Sequence, residues 1–90
     1  MSAYENDYRA NFCVHVNGRA TWMRHVSLNN SANTVLGAKR QAYRVAKRIN
    51  ASRIEFYYSP NPLAEDGVCW RILATRLMGS HKWENCNEPR

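Results

Sequence analysis

Acidic residues are scarce in this chain: seven Asp and Glu stand against thirteen Lys and Arg among 90 residues, a formal net charge of +6. That balance favours a polyanionic partner and is a poor start for general acid–base chemistry. The acids Glu5, Asp7, Glu55, Glu65, Asp66, Glu84 and Glu88 fall mostly in tails and loops, where side chains are poorly preorganised. Glycine and proline are few, at four and three, which excludes collagenous and low-complexity classes. No run approaches about eighteen apolar residues, so nothing reads as a membrane span. The start, Met1-Ser2-Ala3-Tyr4-Glu5-Asn6-Asp7, is polar and acidic where a secretory signal needs a positive end and an apolar run. Three cysteines, Cys13, Cys69 and Cys86, are an odd number at long spacings. They fit free thiols in a reducing compartment better than a disulfide framework, although one pair among them stays open. The expected location is cytoplasmic.

What the chain does have is 44% hydrophobic residues, ten of its residues aromatic, in a length that allows one domain with roughly 64% of its surface buried. Residues 1–9 show no periodicity and read as an arm. Phe12, Val14 and Val16 then alternate with Asn11, Cys13 and His15, the period of a half-buried strand. Asn17-Gly18 is a hairpin signal, because a two-residue type I′ turn needs positive φ at both central positions. Strand two returns over 19–27, and the turn predicts Val14 opposite Thr21, Phe12 opposite Met23 and Cys13 opposite Trp22. The face that holds Trp22 is left open.

A polar link follows in which Ser31 and Asn33 could each cap a helix. The helix is expected over 34–50, with Val35, Ala38, Ala42, Val45, Ala46 and Ile49 on one arc. Strand three is expected over 53–59, with Ile54, Phe56 and Tyr58 on one face and Arg53, Glu55 and Tyr57 on the other. Ser59-Pro60-Asn61-Pro62 ends it. Val68, Trp70, Ile72 and Ala74 alternate as strand four, opposite in face to Cys69, Arg71, Leu73 and Thr75. Gly79-Ser80 turns into a short fifth strand at 81–84, and 85–90 reads as a tail. The fold is therefore α+β in two layers, one helix on an antiparallel sheet of four or five strands, within a single domain at 10–84. The predicted core is Phe12, Val14, Ala38, Ala42, Val45, Ile49, Ile54, Phe56, Trp70 and Ile72.

The helix carries the functional signal. Lys39, Arg40, Arg44, Lys47 and Arg48 lie on it with no acid between residues 34 and 50. Arg40, Arg44 and Arg48 form two like-charged pairs at i, i+4, each costing about 0.2–0.5 kcal/mol with no compensating Glu. A merely solvated face usually interleaves signs. Lys39 and Tyr43 border the apolar arc. The partner-binding set is thus Lys39, Arg40, Arg44, Lys47 and Arg48, and the target is an acidic protein surface or nucleic acid. Tyr57, Tyr58, Trp70, Trp83 and Trp22 could stack on bases, but a domain this small spends most of its rings on the core. Cys13 and His15 share a strand face, yet no Cys-x-x-Cys or His-x-x-x-His pair exists, so neither a metal nor another cofactor is expected. No phosphate loop or nucleophile elbow is present. The chain reads as a binding protein, not an enzyme.

One further pattern lies in the C-terminal half. Ala46-Lys47-Arg48-Ile49-Asn50-Ala51-Ser52, Arg53-Ile54-Glu55, Trp70 and Lys82-Trp83-Glu84-Asn85-Cys86 resemble small phage-encoded anti-CRISPR proteins, in particular a type I-F inhibitor with one helix on an antiparallel sheet. The likeness covers about half the chain. It implies a non-enzymatic protein in a host bacterial cell that docks basic side chains on protein subunits of an RNA-guided surveillance complex and obstructs target-DNA pairing. It would put Lys47, Arg48 and Arg53 at the contact. The chain differs in its full hairpin before the helix and its longer loop at 60–67.

Overall fold

A computed structural model describes residues 7–28, 34–59 and 71–86. The elements are β1 (Asp7–Val16), β2 (Arg19–Ser27), α1 (Val35–Arg48), β3 (Arg53–Ser59), β4 (Arg71–Leu77) and β5 (Glu84–Asn85). They form one five-stranded sheet in the order β2-β1-β3-β4-β5, antiparallel at every step. The α+β class read from the sequence is the class observed.

The turn chemistry sets the first hairpin. Asn17 and Gly18 have φ of 52° and 81°, the left-handed pair that a two-residue turn demands. The register that follows pairs Cys13 with Trp22, Phe12 with Met23 and Val14 with Thr21, as the turn predicts. Because Phe12 is in the core, Cys13 and Trp22 share the opposite face, which settles where Trp22 points. Further along, Ala10 pairs with Val26 and Phe12 with Met23, so Arg24 and His25 together span the place opposite Asn11. This bulge puts His25 at a φ of 57° and aims its N–H at Asn11 Oδ1, 2.8 Å away. The amide of Asn11, only 2% exposed, also donates to Glu55 Oε1 at 3.2 Å. A buried amide is stable only with such partners, so Asn11 ties the bulge of β2 to β3 across β1.

Thr34 caps α1: it is extended, and its Oγ1 accepts the Gly37 N–H at 3.0 Å. Thr34 thus precedes the helix instead of opening it, and the expected caps Ser31 and Asn33 lie outside the described residues. At the other end Asn50 adopts a φ of 59°, and its N–H and that of Ala51 donate to the carbonyls of Lys47 and Ala46. This is a Schellman stop with asparagine where glycine is usual. It ends the helix at Arg48, two residues before the expected boundary.

Ala38, Ala42 and Ala46 have no exposed surface, so the backbone of α1 rests close against β1 and β3, in a core that also holds Ala10, Phe12, Ile54, Phe56 and Ala74. Val14, Val45 and Ile49 pack at the margin of that core, as does Trp83. Tyr8 joins it, its ring 5.9 Å from Phe56 and 5.5 Å from Tyr58.

Several expectations are corrected. Val35 is exposed at the start of α1 rather than in the apolar arc. In β4, Phe56 pairs with Ala74 but Tyr57 with Ile72. The extra residue is Leu73, which packs on the core, while Ile72 stays only half-buried opposite Tyr57. A bulge reverses inside and outside beyond it, and strict alternation could not register this. The fifth strand is Glu84–Asn85 rather than 81–84, because the chain turns at Ser80, whose N–H donates to Leu77 O, and pairs again only where Glu84 meets Thr75. Strand β1 starts at Asp7, within the stretch read as an arm. Trp70 and Cys69 lie outside the described residues.

Two phenols give this fold an alkaline limit. Burial, and secondarily the neighbouring Tyr58, pushes the Tyr8 phenol above its ordinary value. Burial, then the charge and hydrogen bond of Glu55, does the same to Tyr57. A native acid with a raised value keeps its proton while the unfolded chain has already lost it. This contribution is therefore complete below the unfolded tyrosine value of about 10 and is lost as pH rises from there toward the native value. The urea midpoint should fall as pH passes about 10, and less steeply in Tyr8→Phe and Tyr57→Phe.

Candidate nucleic-acid interface

The buried alanines of α1 fix what the opposite side presents. Arg40, Arg44 and Arg48 sit two positions after Ala38, Ala42 and Ala46, so they project straight away from the sheet, and all three are exposed. Four residues of helix rise about 6 Å, which spreads the three guanidinium groups over about 12 Å. Lys47 is exposed beside the row, its ammonium 5.6 Å from the ring centre of Tyr43. The first turn of α1 has no acid, and the last holds Lys47 and Arg48, where the helix dipole favours cations.

Lys39 does something different. It is half-buried, its Nζ lies 5.6 Å from the ring centre of Trp83, and it donates to Asn85 Oδ1 at 3.4 Å. Arg76 of β4, opposite Ile54 in the register and so on the helix side, stacks 4.2 Å from the Tyr43 ring centre and 5.9 Å from that of Trp83. Its Nη2 donates to Ser80 O at 3.0 Å, while its Nε is buried without a hydrogen-bond partner. Trp83 in turn meets Phe56 edge-on at 5.9 Å. Lys39, Trp83, Arg76 and Tyr43 thus clamp α1 to the β4–β5 edge, and cations already occupy these rings. Arg76 and this clamp were missed from the sequence, because nothing local reveals that β4 lies beside Tyr43.

Arg53 is exposed but stands apart from the helix set. It pairs with Cys13 and Leu77 and precedes Ile54, whose side chain is in the core. Its side chain therefore leaves the far face of the sheet, away from α1. The structure brings Arg40, Arg44, Lys47 and Arg48 into one surface, makes Lys39 part of the clamp, and separates Arg53.

Cys13 is buried and Cys86 half-buried, both as free thiols. Among the described residues no three His, Cys, Asp or Glu side chains group as metal ligands, and no helix is long and apolar enough to cross a membrane. No protein-family model, curated protein or solved structure matches the chain.

Proposed function

We propose that this protein is a non-enzymatic binding protein that applies the outward face of α1 to the phosphate backbone of nucleic acid. The observation that carries the reading is the row of Arg40, Arg44 and Arg48, exposed and acid-free, on a helix whose other side is locked to the sheet. Guanidinium groups suit this role because their planar fork of donors matches phosphate oxygens. A rigid α1 loses little freedom on binding, which leaves more of each contact as affinity.

A second reading shares the same face. Lys47 and Arg48, exposed in the last turn, lie in the segment that resembles type I-F anti-CRISPR inhibitors. On this reading α1 docks on protein subunits of an RNA-guided surveillance complex and blocks target-DNA pairing. Arg53, on the far face, would then be outside the contact. Charge reversal at Lys47 and Arg48 should leave folding intact and abolish capture of the complex.

The separating experiment is a salt titration of the purified protein against a labelled random-sequence DNA duplex. Engagement of about four phosphates should make log K fall against log salt with a slope near −3.6. Absence of binding at physiological salt overturns the direct reading. A pull-down from a host that expresses an RNA-guided complex then tests the inhibitor reading, which recovery of no defence component overturns.

A further inference from the structure

The face of the sheet turned away from α1 is chemically distinct from the helix face, and nothing said of α1 accounts for it. The register places Trp22, Cys13, Arg53 and Leu77 in one row across β2, β1, β3 and β4. Two rows along, Tyr57 lies opposite Arg9 and Ile72. Between them Arg24 is exposed on the bulge of β2, two residues after Trp22 and so on the same side of the strand.

Two facts separate these rings from Tyr43 and Trp83. Trp22 is half-buried and has no ring or cation partner among the described residues. Beside it across the ladder, on the same face, Cys13 is buried. Arg24 and Arg53 on this side are both exposed, whereas Glu55 is held by Asn11 and by the Tyr57 hydroxyl at 3.3 Å, and Glu84 lies two strands from Glu55, beyond Thr75. Half-open rings set between free cations complement a chain of bases and phosphates.

We infer that this sheet face is a second site, which binds an unpaired nucleic-acid strand by stacking a base on Trp22 while Arg24 and Arg53 hold its phosphates. An unpaired strand is the occupant because the bases of a duplex are already stacked and cannot lie on a ring, while any single-stranded base has a free π face. Trp22 and Tyr57 are two strand spacings and four residues apart, about 16 Å, a span that a few nucleotides cover. The site does not depend on the α1 row, which lies on the other side of the sheet.

The test uses fluorescence anisotropy of the full chain with a labelled oligothymidylate of about twelve nucleotides, within single-strand site sizes. A duplex of equal length is titrated in parallel. Trp22→Ala should weaken the single strand by about 10- to 100-fold and leave the duplex unchanged, with Trp22→Phe intermediate. Arg24→Glu with Arg53→Glu, both exposed positions, should repeat the loss and guards against a folding defect in the tryptophan variant. Equal single-strand affinity in wild type, Trp22→Ala and the double charge reversal overturns the site, as does no binding to the oligothymidylate. So does concentration-dependent dimerisation that Trp22→Ala abolishes, since a second copy would then be the occupant. Loss of duplex binding on neutralising the α1 arginines with single-strand binding intact supports both sites separately. The reverse pattern, duplex binding that ignores those arginines, removes the α1 reading alone.

Discussion

Replacement of Arg40, Arg44 and Arg48 by glutamine should leave the protein about as stable and make it a far weaker ligand. The three side chains touch nothing in the core, so their loss opens no cavity. It removes two repulsive pairs at i, i+4, worth about 0.4–1 kcal/mol together. Glutamine is about as good a helix former as arginine, but Arg48 also gives up about 0.3–1 kcal/mol with the C-terminal end of the helix dipole, so the net change is close to zero. On the binding side, three charge-assisted contacts disappear. Duplex affinity should drop on the order of 100-fold or more, and the salt slope should flatten by about three units. Lost affinity at unchanged stability marks a face kept for a ligand. Unchanged duplex affinity would leave the row without a nucleic-acid role.

The largest expected loss of stability lies at Phe56. Its side chain is fully buried, stacked on Tyr8 and met edge-on by Trp83, and it stands where β3 meets both Ala10 and Ala74. Phe56→Ala should cost about 3–5 kcal/mol. Total stability in a domain of this class is about 5–15 kcal/mol, so the variant should lose about 2 M or more from its urea midpoint or fail to fold. Leu77→Ala is the control: Leu77 is 59% exposed, and its truncation should stay within about 0.5 kcal/mol. A small effect at Phe56 would mean that the alanines of α1 do not seat on this part of the sheet.

Local chemistry made much of this legible. Asn17-Gly18 determined the hairpin register because its backbone admits one turn type, and the alanine spacing in α1 determined which side met the sheet. Expectations failed where the deciding partner was distant in sequence. The bulge at Leu73 answers to Tyr57, and the bulge at Arg24 and His25 answers to Asn11 and Glu55. The row of Arg40, Arg44 and Arg48 could be found from one helix alone. The clamp of Arg76 on Tyr43 could not, nor could the separation of Arg53, since both depend on strand order and register.

The position of β1 also governs how the chain comes together in time. Strand β1 is paired on both sides, with β2 through a two-residue turn and with β3 through contacts such as Cys13 with Arg53, forty positions apart. The first pairing closes a short loop and belongs to the microsecond range of hairpins. The second closes a loop that contains all of α1, so its entropic cost is larger and its formation slower. Until then β1 carries a bare edge and an uncovered apolar face. The β1–β3 ladder thus closes a forty-residue segment, and the burial of Ala38, Ala42 and Ala46 in the shared core helps to offset the entropy of that closure.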